Sequence, residues 1–166
     1  MEATTLTITT PGDREVLLTR VFDAPRALVF DAWTQPPLLR RWYGPRGWSL
    51  VVCDVNLTPG GGWRFVSRRP DGREVAQRGV YREIARPARL VHTEEWEDWN
   101  PGECLVTVEL SEHAGRTTVT SRTLFPTRAV RVTVLESGLR HGAAETFDRL
   151  AEVLAAQAAR SSASLA

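Results

Sequence analysis

Residues 23–45 have the sequence DAPRALVFDAWTQPPLLRRWYGP and directly follow an extended apolar run over residues 16–22. This order predicts a strand that leads into two short helices. We expect Asp23 to cap the first helix and Pro25 to occupy its opening turn, where the N–H that proline lacks would have no partner. The two prolines at 36–37 then end the first helix and begin the second. Apolar side chains at helical spacing should face the core, namely Leu28, Ala32 and Trp33 from the first helix and Leu38, Leu39 and Trp42 from the second.

The remainder of the chain predicts an α+β fold in which a broad antiparallel sheet is covered by a long final helix. Alternating apolar and β-branched residues, separated by turn residues, predict about seven strands, at 16–22, 48–57, 63–68, 74–85, 89–97, 103–111 and 116–125. From Ser137 onward, helical spacing is kept by Leu139, Ala143, Phe147, Leu150 and Leu154. The segment 128–135 stays open between a strand and a short helix, because its valines alternate at a position where a helix would fit.

Length and composition indicate one globular domain. At 166 residues, with 42% hydrophobic and 25% charged residues, the chain can bury one substantial core but not two ordinary ones. We place the domain at residues 1–160 and expect residues 161–166 to form a disordered tail. The net charge of +1 provides no basic field for nucleic acid. No apolar stretch approaches the ~20 residues of a membrane span, and the N-terminus lacks signal-peptide features, so we expect a cytoplasmic protein without a membrane partner.

Several classes of chemistry lack the residues that they need. Lysine is absent, and the 21 positions counted as lysine or arginine are all arginine, which excludes Schiff-base chemistry and a phosphate-loop lysine. The histidines, His92, His113 and His141, have no metal-ligand spacing with one another or with a cysteine. We therefore predict neither a metal nor another cofactor. Cys53 and Cys104 are expected to be reduced, buried thiols.

Strand alternation predicts which side chains face the interior of the sheet. The resulting wall is mostly apolar and aromatic, and its members are Trp63, Phe65, Ser67, Gln77, Gly79, Tyr81, Leu90, His92, Glu94, Trp96, Cys104, Val106, Val108, Val119, Ser121 and Thr123. The side chains expected to contact a ligand, from this wall and from the final helix, are Trp63, Phe65, Tyr81, His92, Glu94, Trp96, Val106, Val119, Leu139, Ala143 and Phe147.

Two ionisable groups, His92 and Glu94, are unusual on such a wall. A carboxylate on an apolar wall loses hydration unless an arginine or a ligand group compensates, so Glu94 is the leading polar ligand contact. The alternatives are that Glu94 pairs with Arg64 or Arg122, or that a one-residue shift turns Thr93 inward. For His92 the alternative is a hydrogen-bonded histidine without a functional role.

Short motifs spread between about residue 5 and about residue 157 occur together in this chain. They are TPGDRE at 10–15, RVFDAPR at 20–26, VFDAWT at 29–34, RWYGP at 41–45, GG at 60–61, PDG at 70–72 and RLV at 89–91. As a set they resemble the START-like (SRPBCC) superfamily and, within it, the bacterial homologues of the activator of the ninety-kilodalton heat-shock chaperone ATPase. The resemblance implies a helix-grip (START/Bet v-like) fold, in which a curved antiparallel sheet wraps around a long C-terminal helix and leaves a ligand cavity.

The resemblance leaves three functions open, since superfamily members bind lipids, hormones or polyketides and some catalyse aromatic cyclisation. The expected function is binding of a small apolar or aromatic metabolite by a monomer or homodimer, without catalysis. One alternative is a cyclase, dehydratase or hydrolase that uses His92, Glu94 and Tyr81. The other is a chaperone-interacting module that uses the outer sheet or the helix pair.

Overall fold

The computed structural model describes residues 5–165, with side chains described for residues 5–160. Within them the strands are β1 (Thr7–Thr9), β2 (Glu15–Phe22), β3 (Ser49–Val55), β4 (Gly62–Arg68), β5 (Glu74–Ala85), β6 (Arg89–Trp96), β7 (Cys104–His113) and β8 (Arg116–Leu124). The helices are α1 (Arg26–Thr34), α2 (Pro36–Trp42), α3 (Arg128–Glu136) and α4 (Leu139–Leu165). The strands form one antiparallel sheet in the order β1-β2-β8-β7-β6-β5-β4-β3.

The predicted α+β class, the helix pair after the first long strand and the long final helix on an antiparallel sheet are all confirmed. The described sheet has eight strands rather than about seven, because β1 was not predicted. This edge strand has three residues and pairs with β2, where Thr7 lies opposite Thr19. Three residues are too few for an alternation pattern to distinguish a strand from a loop.

The start of α1 corrects the predicted cap. Pro25 is itself the N-cap residue, with extended backbone angles of φ −67° and ψ 149°, and no side chain caps the helix. Its carbonyl accepts the first helical hydrogen bonds, from the amide nitrogens of Leu28 at 3.1 Å and Val29 at 3.3 Å. Asp23 therefore lies before the cap position. The second helix begins as expected, with Gln35 as N-cap and the two prolines in the first turn.

The segment that the sequence left open is the helix α3. The Thr127 side chain caps it by accepting a hydrogen bond from the Val130 amide at 3.2 Å. Arg131 is also buried in this helix and donates to the Gly12 carbonyl at 2.8 Å. This cap and this long-range contact favour a helix over the strand that alternating valines would form. The next helix, α4, continues to Leu165, into the segment for which a disordered tail was expected.

The core consists of two buried clusters, a large one around Phe30, Trp42 and Leu150 and a smaller one around Val16 and Phe125. Helix α4 packs on α1, α2 and α3 and reaches the sheet through side chains. In particular, the Phe147 ring lies 6.0 Å from the Phe22 ring, and Arg20 pairs with Asp148 at 2.7 Å. No helix in the described part of the chain is both long and apolar enough to span a membrane.

Candidate functional site

A cavity of about 450 Å³ lies between the sheet and α4. Its volume falls within the range of roughly 300 to 1,000 Å³ that is usual for small-molecule sites. Side chains of both core clusters border it, and Leu18 packs against both clusters. The lining reaches the surface between α3 and α4, where Ser137 and Gly138 are exposed.

Most of the predicted ligand contacts line this cavity. They are Trp63, Phe65, Tyr81, His92, Glu94, Trp96, Val106, Leu139, Ala143 and Phe147. Val119 does not, because it is fully buried at the part of β8 that pairs with Arg20 and Leu110, where α1 covers the sheet directly. Three other wall residues leave no surface in the cavity. Cys104 and Val108 belong to the packed core, and Gly79 is not among the lining residues.

Glu94 belongs to a chain of hydrogen bonds that crosses the cavity wall. The Tyr43 hydroxyl donates to Gln77 Oε1 at 3.0 Å, and Gln77 Nε2 donates to Glu94 Oε1 at 3.1 Å. Burial raises the pKa of the Glu94 carboxyl to about 7, against a smaller opposing effect of the Gln77 hydrogen bond. Glu94 keeps some accessible surface because it borders the cavity. Near neutral pH this carboxyl therefore exchanges between its neutral and charged forms.

The alternative partners predicted for Glu94 are occupied elsewhere. Arg64 Nε pairs with Glu97 at 2.8 Å, and Arg122 pairs with Glu15 at 2.8 Å. Strand parity is as predicted, because Glu94 lines the cavity and Thr93 does not. The Thr93 hydroxyl instead accepts a hydrogen bond from the Val80 amide at 2.9 Å.

His92 lies against aromatic rings on the same wall. Its ring centroid is 5.4 Å from that of Trp63 and 6.1 Å from that of Tyr81. The Thr93 carbonyl lies 3.2 Å from His92 Nδ1 and also accepts from Trp63 Nε1 at 3.1 Å. Because a carbonyl can only accept, we assign the proton of the neutral ring to Nδ1. Burial lowers the pKa of His92 to about 4, so the ring is neutral at physiological pH.

The structure does not join the proposed catalytic trio into one hydrogen-bonded group. Tyr81 and His92 are cross-strand partners with adjacent rings, whereas Glu94 bonds to Gln77. Burial raises the pKa of the Tyr81 hydroxyl above its ordinary value. Among the described residues no hydrogen bond links Glu94 to His92 or Tyr81. The arrangement therefore offers a single acid–base group, Glu94, rather than a histidine–carboxylate pair.

Tyr43 was missed as a site residue by sequence reasoning, although it lies within the RWYGP motif at residues 41–45. It follows α2, and the chain there is held by Arg149 of α4, which donates to the Gly44 carbonyl at 2.7 Å and the Pro45 carbonyl at 3.2 Å. The same guanidinium reaches the Arg41 carbonyl at 3.1 Å. These contacts, separated by more than a hundred residues, bring Tyr43 to the cavity, and no local pattern signals them.

Other lining residues were assigned to the core or were not considered. Trp33 and Trp42 pack with ring centroids 5.0 Å apart, as expected of core residues, and both also border the cavity. The remaining unpredicted apolar members are Val16, Leu18, Leu39, Pro45, Trp48, Val75, Phe125 and Val134. Val75 and Phe125 extend the predicted alternation by one step, from Gln77 on β5 and from Thr123 on β8, but were not included in the wall. The other six come from elements outside the strands of the predicted wall, so alternation within those strands does not find them.

Comparison with known proteins agrees with this architecture. Residues 23–155 match the family model described as Activator of Hsp90 ATPase homolog 1-like protein. No curated protein matches the sequence. Among solved structures, a protein of Rhodobacter sphaeroides is 29% identical with a TM-score of 0.86, and the match covers 92% of this chain and 99% of that one.

Two further solved structures show the same fold. A protein of Nitrosomonas europaea is 27% identical with a TM-score of 0.82, covering 90% of this chain and 99% of that one. The AHSA1 protein of Silicibacter pomeroyi is 20% identical with a TM-score of 0.71, covering 86% and 99%. With the helix-grip arrangement and the match over residues 23–155 together, the chain belongs to the Activator of Hsp90 ATPase homolog 1-like (AHSA1) family of the SRPBCC superfamily.

Proposed function

We propose that this protein binds a small apolar or aromatic molecule in the cavity between the sheet and α4. The observation that carries the proposal is the unfilled volume of about 450 Å³ with a predominantly aromatic and aliphatic lining. Protein interiors are normally close-packed, and an empty space of this size forfeits many dispersion contacts. A ligand that fills it restores those contacts and removes its own apolar surface from water.

The lining also provides polar groups that orient a ligand. Glu94, Gln77 and Tyr43 form one hydrogen-bonded chain, while the remaining walls are largely apolar. An apolar pocket with a few fixed polar groups is the usual composition of a small-molecule site. These features support binding of a molecule with an apolar body and one polar end.

Binding is tested with the protein purified under native conditions. Native mass spectrometry should reveal a small molecule that is retained by the folded protein and released on denaturation. After its removal, the neutral probe N-phenyl-1-naphthylamine should gain fluorescence in the cavity and raise the melting temperature. Absence of a retained molecule together with no response to the probe would contradict the proposal.

A matched pair of variants locates the binding. Ala143 lines the cavity, so Ala143→Trp should fill it and abolish the probe signal. His141 is 84% exposed on the same helix, so His141→Trp adds the same side chain outside the cavity and should bind as the wild type does. Circular dichroism must show that both variants are folded. Equal binding by the two variants would place the probe elsewhere.

Catalysis is a second candidate because the pKa of Glu94, raised to about 7 by burial, suits a general acid or base near neutral pH. This candidate predicts that the retained molecule is converted by the protein and that conversion stops in Glu94→Gln. A carrier would return the same molecule chemically unchanged from wild type and variant.

A chaperone-interacting role has less support from the surface. Only four large apolar side chains of the described residues are exposed, namely Leu57, Val80, Trp99 and Val132. A docking face for another protein would be expected to gather such side chains into one patch.

A further inference from the structure

The cavity has an unusual charge composition for this chain. All 21 residues counted as lysine or arginine are arginine, yet none of them is among the residues that line the cavity. Glu94 is the one acidic side chain in the described lining, and His92 beside it is neutral at physiological pH. When Glu94 is ionised, the cavity therefore presents a negatively charged hydrogen-bond acceptor, and its described lining contains no cation that would neutralise an anionic ligand.

The hydrogen bonds around Glu94 have a fixed direction. The Tyr43 hydroxyl donates to Gln77 Oε1, which turns the Gln77 amide nitrogen toward Glu94. Since that nitrogen donates, Glu94 Oε1 must accept. No donor of the described residues reaches the second oxygen, Oε2. The chain thus holds Glu94 as a hydrogen-bond acceptor with one oxygen unpaired by protein.

The surroundings of Glu94 also suit a positive charge. The side chains of Trp63, Phe65, Tyr81 and Trp96 line the same cavity. Burial raises the pKa of the Tyr43 hydroxyl, and the nearby Glu94 raises it further. Aromatic rings attract cations through their quadrupoles, more strongly where water is excluded. A buried carboxylate among aromatic rings is a combination that recognises an organic ammonium group.

We infer that the cavity selects ligands in which a protonated nitrogen is attached to an apolar or aromatic body, with the nitrogen donating a hydrogen bond to Glu94. This inference rests on the ligand-binding function proposed above and specifies the chemical class of the ligand. An ammonium group compensates the Glu94 charge, which otherwise lacks hydration and an arginine partner. A carboxylate or phosphate ligand would meet Glu94 without any compensating cation.

Three probes of similar size test the inference by isothermal titration calorimetry at pH 7.5. They are 1-(aminomethyl)naphthalene, 1-naphthalenemethanol and 1-naphthoic acid, which present an ammonium, a hydroxyl and a carboxylate on the same ring system. The amine should bind at least about tenfold more tightly than the alcohol, as expected of a charge-assisted hydrogen bond. The carboxylate should bind most weakly.

Variants assign the preference to Glu94. In Glu94→Gln the amine should lose its advantage and bind within about threefold of the alcohol, since the charge-assisted bond is gone. The control is Glu95→Gln, because Glu95 is the next residue on β6, lies outside the cavity and faces Arg78 at 3.6 Å. This control should keep the wild-type order of affinities.

The pH dependence in the wild-type protein provides an independent measurement that requires no variant. The titratable groups around Glu94 are Tyr43 after α2, Tyr81 on β5, His92 on β6 and Cys104 on β7, while the α4 residues that line the cavity are uncharged. Burial raises the pKa values of the two tyrosines and of Cys104 and lowers that of His92, so none of them changes charge between pH 5.5 and 8. Ionisation of Glu94 should therefore tighten amine binding as pH rises across this window, and alcohol binding should not tighten.

The outcomes separate this inference from the proposed function. Binding of the alcohol or the carboxylate at least as tight as that of the amine would overturn the amine preference and leave ligand binding in place. An amine preference that survives in Glu94→Gln would overturn the role of Glu94. If none of the three probes binds, the inference fails, and the molecule retained in native mass spectrometry decides the proposed function separately.

Discussion

Glu94 is a carboxyl group that folding moves from water to the wall of a largely apolar cavity. Its hydrogen-bond donor is the neutral amide of Gln77, and no ion pair compensates it among the described residues. Burial therefore dominates and raises its pKa from 4.5 to about 7. Burial lowers the pKa of His92, two residues away on the same wall, because the charged form of histidine is the protonated one.

These pKa values predict a pH dependence of stability that Glu94→Gln should reveal. Between about pH 4.5 and 7 the folded state holds the Glu94 proton more strongly than the unfolded state, so rising pH removes stability from the wild type. Replacement by glutamine removes this effect. The free energy of unfolding of the variant should therefore increase relative to wild type by roughly 1 to 3 kcal/mol between pH 4.5 and pH 8.

Urea denaturation of both proteins at several pH values measures this difference. His92 makes the opposite contribution, with stability lost as pH falls from 6.5 toward 4, but it is present in both proteins and cancels in the comparison. Glu95→Gln serves as the control for the loss of a carboxylate from β6. A constant difference between Glu94→Gln and wild type at all pH values would show that Glu94 is hydrated rather than buried.

Strand pairing between β5 and β6 is shaped by one close approach. The Thr93 carbonyl accepts a hydrogen bond from Trp63 Nε1 and faces His92 Nδ1, so it points toward the side of the sheet that faces the cavity. Gly79 lies beneath it, and a Cβ at this position would overlap the Thr93 carbonyl oxygen and approach Trp63 Nε1 at 2.5 Å. A residue without a side chain is therefore required here, and the resulting space admits the Trp63 indole to the cavity wall.

Substitution at this point should disrupt the strands. Gly79→Ala should lower the free energy of unfolding by more than about 3 kcal/mol, because the overlapping atom is backbone and cannot move without breaking sheet hydrogen bonds. The control is Gly62→Ala on the neighbouring strand β4, where the nearest atom to the added Cβ is the Gly79 oxygen at 3.7 Å. Its cost should stay below about 1 kcal/mol in the same urea denaturation experiment. Equal costs at the two glycines would contradict the close approach.

Helix α4 is joined to the rest of the molecule by side chains that lie near the cavity. The ring centroid of Phe147 on α4 lies 6.0 Å from that of Phe22 on β2 and 5.8 Å from that of Trp33 on α1. One side chain therefore joins α4, the sheet and the helix pair. Arg149, two residues further on, fixes the chain after α2 by hydrogen bonds to its carbonyl groups. These contacts hold α4 over the sheet, next to the cavity that Phe147 lines.

Truncation of Phe147 should test this mode of assembly. Phe147→Ala should cost about 3 to 5 kcal/mol and Phe147→Leu about 1 kcal/mol, in proportion to the buried volume removed. Val132→Ala is the helical control, because Val132 is 38% exposed and its loss should change stability by less than about 0.5 kcal/mol. Far-ultraviolet circular dichroism and tryptophan fluorescence should report the same unfolding transition. A cost at Phe147 no larger than that at Val132 would show that α4 is anchored elsewhere.

Local patterns in the sequence determined the α+β class, the helix pair at residues 26–42 and the inward parity of Trp63, His92 and Glu94. These features depend on periods of two or 3.6 residues and on turn residues, which a linear sequence displays directly. The strand β1 was missed and α3 stayed open, because three residues or an alternating trio of valines carry too little periodic information.

Only the tertiary structure decided that side chains do not fill the space under α4, that Tyr43 joins Gln77 and Glu94, and that Val119 is packed in the core instead of lining the cavity. Each of these features depends on contacts between segments that are distant in the sequence, such as the hydrogen bond from Arg149 to the Gly44 carbonyl after α2. A wall can be predicted from alternation, but a cavity is a difference between the volume that the elements enclose and the volume that their side chains occupy. That difference arises from long-range packing, which no window of the sequence contains.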